Sequence, residues 1–236
     1  MELKQVNETL TYYVRPQTFP VALKLCRSEG ELPEKVRRPQ RDLGYQVTLC
    51  QGIGLARRFG WTMAIGKEDQ CCVGGAAAMG FVKESPAMSQ ADAEKMLDFG
   101  TYSHLLAAPI TGAAFEPDAV VLYVNSAQAM RLVQAAGEGG VSAVATGSMD
   151  CGDVVARTTR GDRCQFILPS GGDRVFGSTQ DHELIFAMPQ GKVEAVMKGL
   201  EETHKAGFRY PVLTDIRHRP SLPPFLEMAG SAEPAP

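Results

Sequence analysis

Hydrophobic residues along the chain recur with the two periods of regular secondary structure. Short runs rich in apolar and β-branched residues, bounded by glycine, proline or charged residues, predict strands. The run Ala119–Val124 is apolar at every position, which indicates burial on both faces and is typical of a parallel strand. The predicted strands cover residues 21–25, 61–65, 104–109, 119–124, 141–145, 166–169 and 183–189.

Between these runs, apolar residues three or four positions apart predict helices. Gly60 stands where a helix C-terminal cap belongs, and Asn125 or Ser126 can cap the helix that stops at the glycines of 137–140. The sequence Ser89-Gln-Ala-Asp92 has the form of a capping box, which predicts a helix that continues to Phe99. The predicted helices cover residues 1–14, 46–59, 89–99, 126–136 and 191–206.

Several landmarks recur 80 positions apart. Cys71 lies 11 positions after Gly60, and Cys151 lies 11 positions after Gly140. The predicted strand 104–109 matches residues 184–189 of a later predicted strand with the same offset of 80 positions, and the last residue of each is a proline. Such periodicity predicts two related halves that could bring the two cysteine turns together near a pseudo-twofold axis. Chance is the alternative, because glycines after helices and prolines after strands are common.

The expected fold class is therefore mixed α/β, in one compact unit made of two pseudo-repeated α/β halves. A single domain is predicted over residues 1–219, with pseudo-repeats over about 20–110 and 119–190 and a closing helix over 191–206. Residues 220–236 are rich in proline, and we predict a poorly ordered tail there.

Composition and charge narrow the classes of function. The 236 residues are 44% hydrophobic and 22% charged, which is enough for a sizeable core. A net charge of -3 provides no basic surface for nucleic acid or for a membrane, so neither is an expected partner. No apolar run approaches the roughly 20 residues of a spanning helix, and the polar N-terminus does not resemble a signal peptide. We therefore predict a cytoplasmic protein whose thiols are reduced.

The six cysteines are the strongest candidates for chemistry. Cys50 falls on a predicted helix, Cys71 and Cys72 on the turn after the next strand, and Cys151 on the matching turn of the second half. Thiolates are the preferred ligands of soft metals and Fe–S clusters. No Cys-x-x-Cys pair occurs, so ligands would have to come from distant segments. The alternative is that these cysteines are small core residues, as free cysteine often is.

Two glycine turns are candidates for binding a cofactor or ligand. Gly74 and Gly75 follow the cysteine pair, and such glycines permit a close approach to the backbone. Gly171 and Gly172 precede Arg174, and successive backbone N–H groups beside an arginine can bind a carboxylate or phosphate. A plain turn with a structural Asp–Arg pair is the competing interpretation. No hydrolase elbow or His-Glu-x-x-His motif occurs, so no catalytic residues are predicted.

Longer strings of sequence resemble a known family. The strings Phe115-Glu-Pro-Asp-Ala-Val-Val-Leu-Tyr-Val, Ala127-Gln-Ala-Met-Arg-Leu and Gly172-Asp-Arg-Val-Phe-Gly-Ser-Thr-Gln-Asp-His-Glu-Leu are similar to domain-of-unknown-function family 169 of bacteria and archaea. Cys50-Gln, Cys72-Val-Gly-Gly and His204-Lys-Ala-Gly-Phe-Arg-Tyr-Pro211 also resemble that family, from about Pro20 to Pro211. The resemblance implies no assigned reaction.

The resemblance does imply a set of cysteines. Cys50, Cys72 and Cys151 match positions at which the family carries cysteine, whereas Ser170 stands where family members carry a further one. If the family binds a four-thiolate cluster, this chain would retain three of the ligands. Cys71 would then supply the fourth, or the position would stay open.

These observations lead to a working hypothesis and two alternatives. The hypothesis is a cysteine-lined site that binds a metal or Fe–S cluster for redox or cofactor-linked chemistry, with Cys50, Cys72 and Cys151 as ligands and Cys71 in reserve. The first alternative is a non-catalytic module that binds a small anionic metabolite beside Arg174, with the cysteines as packing. The second is a thiol enzyme whose nucleophile is Cys71 or Cys72. The sequence does not indicate an oligomeric state.

Overall fold

The computed structural model describes residues 1–83, 94–137, 140–144 and 149–212, with the side chains of 142–144 excepted. Within these residues, seven strands form one sheet in the order β2-β3-β1-β4-β7-β6-β5. The pairing is antiparallel throughout except between β5 and β6, which are parallel. The strands are β1 Val21–Cys26, β2 Met63–Gly66, β3 His104–Pro109, β4 Ala119–Val124, β5 Val141–Val144, β6 Cys164–Ile167 and β7 Leu184–Pro189.

Helices cover both faces of the sheet, which confirms a mixed α/β fold. The helix α2 begins with a capping box in which Thr48 Oγ1 accepts from Gln51 N, and it ends at Gly60 in the left-handed conformation. The helices are α1 Leu3–Tyr13, α2 Leu49–Phe59, α3 Val73–Ala78, α4 Ser126–Ala136, α5, α6 Gly171–Phe176 and α7 Gln190–Lys205. Helix α5 consists of three consecutive parts: Asp150–Gly152, the π-helical turn Asp153–Arg157, and Thr158–Arg160. No helix among the described residues is long and apolar enough to cross a membrane.

The sheet separates two hydrophobic cores, and its central strand β4 contributes side chains to both. Its side chains alternate between the faces, so that Val121 and Tyr123 join one core and Val120 and Leu122 join the other. Helices α2, α3 and α5 pack in the first core, and α1, α4 and α7 pack in the second. The predicted burial of β4 on both faces is confirmed.

The predicted parallel direction of β4 is wrong. The strand is antiparallel to both neighbours, with Val121 opposite Val21 of β1 and Ala187 of β7. An unbroken apolar run reports that both faces are covered by other elements. In this fold the two helical layers provide that cover, so the pattern carries no information about strand direction.

The pseudo-repeat is not confirmed. The helix that follows β1, α2, packs on one face of the sheet, while the helix that follows β4, α4, packs on the other. A twofold axis that exchanges two antiparallel neighbours runs perpendicular to the sheet and would leave both helices on the same face. The second half also places an additional strand, β6, between β5 and β7.

Other predicted elements differ at their ends. The predicted helix over 89–99 begins outside the described residues, and residues 94–99 form turns and irregular chain rather than helix. The reason is a contact with another segment of the chain. Leu97 N donates to Ala78 O and Gly100 N donates to Gly80 O, and these bonds hold the segment along the end of α3. The tail over 220–236 lies outside the described residues, and the single-domain boundary at 219 stays a prediction.

Candidate functional site

Three of the predicted cysteines lie where helices begin. Cys50 is the second residue of α2, Cys72 is the N-cap of α3, and Cys151 is the second residue of α5. Cys50 Sγ lies 3.8 Å from the carbonyl oxygen of Gly172, so the beginning of α2 contacts the beginning of α6. The segments 49–50, 72–73, 150–151 and 170–172 thus converge on one side of the sheet, where α2, α3 and α5 share a core.

The pKa values of Cys50 and Cys151 are raised by burial and by the same neighbouring groups. Burial raises the pKa of Cys50 to about 12, and the charges of Asp173, Asp150 and Cys72 add to the effect while a hydrogen bond from Thr48 opposes it. The pKa of Cys151 is raised well above its usual range by burial and then by charges of the same groups, with Cys50 added. We call this set the cysteine cluster; its members are Cys50, Cys72, Cys151, Asp150 and Asp173.

Asp150 joins the beginning of α5 to the beginning of α6. Its Oδ1 accepts from Ser170 Oγ at 2.8 Å and from Cys151 N at 3.0 Å, and its Oδ2 accepts from Ser170 N at 2.9 Å. Ser170 Oγ in turn accepts from Asp173 N and caps α6. Ser170 therefore joins Asp150 to the beginning of α6 and has a defined structural role within the cluster.

Asp173 is the second buried carboxyl of the cluster, with a side chain close to other polar groups. It receives hydrogen bonds from Thr179 Oγ1 at 2.7 Å and from Tyr123 Oη at 3.4 Å. Burial, and then the charge of Asp150, raises the pKa of Asp173 to about 6. Neither carboxyl is predicted as a site residue from the sequence, although Asp150 adjoins Cys151 and Asp173 follows the Gly171–Gly172 turn.

A buried ion pair lies behind Asp173. Arg57 is fully buried, and its two terminal nitrogens donate to Glu183 at 2.9 and 3.1 Å. The guanidinium carbon lies 3.7 Å from the ring centroid of Tyr123, whose hydroxyl contacts Asp173. Burial alone would raise the pKa of Glu183, but the hydrogen bonds from Arg57 and from Gln180 N outweigh it and lower that pKa.

The predicted close approach to the glycine pair is made by the protein itself. A Cβ on Gly75 would lie 2.8 Å from Leu49 Cβ, so α3 packs against the beginning of α2 at a distance that only glycine permits. A Cβ on Gly74 would lie 3.5 Å from Met149 Cγ and 3.7 Å from Cys72 Sγ, which places Cys72 near the beginning of α5.

Two other predicted site residues, Cys71 and Arg174, are not members of the cysteine cluster. Cys71 is exposed. Arg174 donates to Gln180 O at 2.9 Å and lies 3.8 Å from Asp181. Within the described part of the chain, and apart from its own chain neighbours, no atom lies within 4 Å of a Cβ built on Gly171. Arg174 is thus engaged by the loop that follows its own helix.

A separate group of potential metal ligands was not predicted from the sequence. Ligand atoms of Glu29, Glu68 and His104 all lie within 4.8 Å of one another, and Arg38 bonds to both carboxylates. Within the described ranges this is the only such group of three His, Cys, Asp or Glu atoms. The three sulfurs of the cysteine cluster are therefore not all within that distance. A single zinc ion, with Zn–S bonds near 2.3 Å, would need them about 3.8 Å apart.

Comparison with known proteins agrees with the resemblance in the sequence. Residues 9–199 match the domain-of-unknown-function family 169, described as uncharacterised ArCR. The chain is 26% identical over 205 residues to the uncharacterized protein MJ0308 of Methanocaldococcus jannaschii, which covers 77% of this chain and 86% of that protein. No solved structure matches the chain. Because the matched residues span most of its length, the chain belongs to domain-of-unknown-function family 169.

Proposed function

We propose that the chain binds a thiolate-ligated metal centre, in the form of an Fe–S cluster, through Cys50, Cys72 and Cys151, and that this centre serves redox or cofactor-linked chemistry. The observation that carries the proposal is the concentration of acidic groups in the cysteine cluster. Three thiols and two buried carboxyls lie together there, and nearby negative charges help to raise the pKa values of Cys50, Cys151 and Asp173. Buried acids of this density require either protons or a bound cation.

Electrostatics favours a metal as that cation. Every group that shifts the pKa of Cys151 raises it, so the metal-free thiol retains its proton. A metal binds the thiolate form, supplies the missing positive charge and displaces the protons. Binding should therefore release protons from Cys50 and Cys151 at neutral pH.

The spacing of the sulfurs favours a cluster over a single ion. The sulfurs of Cys50, Cys72 and Cys151 do not all lie within 4.8 Å of one another, the distance within which three ligands of one ion gather. In an Fe–S cluster the thiolates bind different iron atoms, so the cysteines can lie farther apart. When bound, such a cluster supplies one-electron transfer or a site for a substrate atom.

Ser170 and Asp150 give the proposed centre an open side. Three cysteines leave one position of a four-ligand cluster without a protein thiolate, and Ser170 occupies the place of the family's fourth cysteine. Its hydroxyl donates to Asp150, and Cys71 is exposed, so we assign neither as a fourth ligand. Catalytic metal sites typically keep such a position for substrate.

Iron and acid-labile sulfide analysis of protein purified without oxygen tests this proposal. Cys72→Ser and Cys151→Ser are each expected to lose iron and sulfide together. Cys71→Ser is the matched control, since it makes the same change at the neighbouring, exposed position. Wild-type protein free of iron and sulfide, or equal iron in all three variants, would overturn it.

The alternative of a non-catalytic anion-binding module at the Gly171–Gly172 turn has less support. Arg174 already donates to Gln180 O and lies near Asp181. Asp150 and Asp173, buried beside this turn, would repel an anion when ionised. If the purified protein contains no iron or sulfide, the cysteines are better interpreted as core residues, and an anion-binding module becomes the favoured function.

A further inference from the structure

A cleft lined by Arg57 and Arg58 combines several features of a ligand site. It has a volume of about 430 Å³ and lies between α1, the segment 16–20 and the C-terminal part of α2. Its polar lining includes Asn7, Gln17, Thr18, Arg57 and Arg58. A cleft of this volume is within the range of small-molecule sites.

Three buried polar atoms at this cleft have no hydrogen-bond partner within the described part of the chain. They are Thr18 Oγ1, Arg57 Nε and Arg58 Nε. Buried donors are almost always bonded, because an unbonded one loses its hydration without compensation. Three such atoms around one cleft indicate a missing acceptor.

The positions of the two arginines are determined by their other nitrogens. Arg57 donates through its terminal nitrogens to Glu183 and to Ser178 O. Arg58 donates to the same carbonyl and lies 3.4 Å from Glu183. Each Nε atom is left over on a guanidinium that is already fixed, so binding an anion would order little that is mobile.

Charge also favours an anion. The lining contains two arginines, and among the described residues that form it there is no Asp or Glu. Glu183, which pairs with both guanidinium groups, and Asp173, whose charge interacts with Arg57, are not part of the lining. The segment that carries Thr18 is held in place by Phe19 N, which donates to Arg57 O at 3.0 Å.

We propose that this cleft binds a small anionic metabolite through a carboxylate or phosphate group. The oxygens of that group accept from Arg57 Nε, Arg58 Nε and Thr18 Oγ1. Charge-assisted bonds of this kind are the stronger class of hydrogen bond. The cleft has a different lining from the cysteine cluster and the Gly171–Gly172 turn, although Arg57 connects it to Asp173 through Tyr123.

Thermal unfolding and calorimetric titration of the full chain test the proposal. The probes are inorganic phosphate and succinate, compared with potassium chloride at the same ionic strength. At least one anion is expected to raise Tm beyond the chloride control. Stabilisation by phosphate alone identifies a phosphate group, and stabilisation by succinate alone identifies a carboxylate.

Thr18→Val provides the sharpest variant. Since the hydroxyl has no partner in the free protein, its removal should leave Tm unchanged or slightly higher, while binding of the anion weakens about tenfold. Arg58→Gln should weaken binding at least as much, and Arg41→Gln, in the turn Pro39–Leu43, should not. Absence of stabilisation by both anions, or wild-type affinity in Thr18→Val and Arg58→Gln, would overturn the proposal.

Discussion

The adjacent glycines of α3, Gly74 and Gly75, are expected to respond to alanine in opposite ways. A Cβ at position 75 would lie 2.8 Å from Leu49 Cβ and 2.9 Å from Gln70 Oε1. Both of those side chains are buried, so neither can move aside without disturbing its own packing. At position 74 the nearest atoms, on Met149 and on the preceding cysteine, are 3.5 and 3.7 Å away, which is ordinary contact.

The magnitudes follow from two opposing effects. An extra methyl group in a packed interior costs about 1–3 kcal/mol. Replacing glycine by alanine in a helix returns about 1 kcal/mol. A carbon–carbon contact of 2.8 Å is closer than real Cβ atoms approach, so the cost at position 75 lies in the upper part of that range, about 2–3 kcal/mol. Gly75→Ala should therefore lower the free energy of unfolding by about 1–2 kcal/mol, and Gly74→Ala should leave it unchanged or raise it by up to about 1 kcal/mol.

Urea denaturation of metal-free protein measures both variants directly, with the free energy of unfolding obtained by linear extrapolation. Gly75→Ala should also bind less metal, because displacement of α3 moves Cys72 away from Cys50 on α2. Equal stabilities for the two variants, or a Gly75→Ala protein as stable as wild type, would refute this account of how α3 packs.

Three further predictions concern the polar groups around the cysteine cluster. Glu183→Gln leaves the fully buried Arg57 without its charge partner and should cost about 3 kcal/mol in urea denaturation. Burial raises the pKa of Asp173 to about 6. The contribution of this carboxyl to the stability of the fold is therefore present below about pH 4 and is lost as the pH rises through about 6. Between pH 4 and pH 7, Tm should consequently fall less in Asp173→Asn than in the wild type. Ser170→Cys adds a fourth thiol and should slow the loss of iron to a chelator, although removal of the serine cap costs about 1 kcal/mol; unchanged or faster loss of iron would count against an open position.

The local elements of this fold could be predicted from the sequence because their signals are local. Gly60 ends α2 since glycine adopts the left-handed conformation at little cost, and Asn125 caps α4 through Gln128 N. The strands β3 and β4 have the predicted bounds, because a run of apolar residues between polar ones marks where a strand enters and leaves the core.

The arrangement of those elements could not be predicted in the same way. Pairing partners and helix faces depend on contacts between distant residues, and a strand that is apolar on both sides allows either direction. The similar spacing of Gly60–Cys71 and Gly140–Cys151 suggested a twofold relation, yet α2 and α4 lie on opposite faces. Common features of helix and strand ends account for the spacing without a structural repeat.

The sequence alone predicts the cysteines of the candidate site but not its buried carboxyls. Cysteine is rare enough that Cys50, Cys72 and Cys151 could be singled out individually. Asp150 and Asp173 could not, because an acid in a turn usually lies in solvent, and only the fold shows that both are buried. The same holds for Arg57 and Glu183, which lie 126 positions apart.

Alkylation of the thiols, read residue by residue by mass spectrometry, tests most directly whether Cys50, Cys72 and Cys151 hold a metal centre. In anaerobically purified protein Cys72 should be protected, and it should become reactive as a chelator removes the iron. Cys50 and Cys151 should react slowly in both states, because burial raises the pKa of each thiol and the metal-free groups keep their protons. Exposed Cys71 should react in both states, and buried Cys26 should react in neither. The same reactivity of Cys72 before and after chelation would contradict the proposed centre.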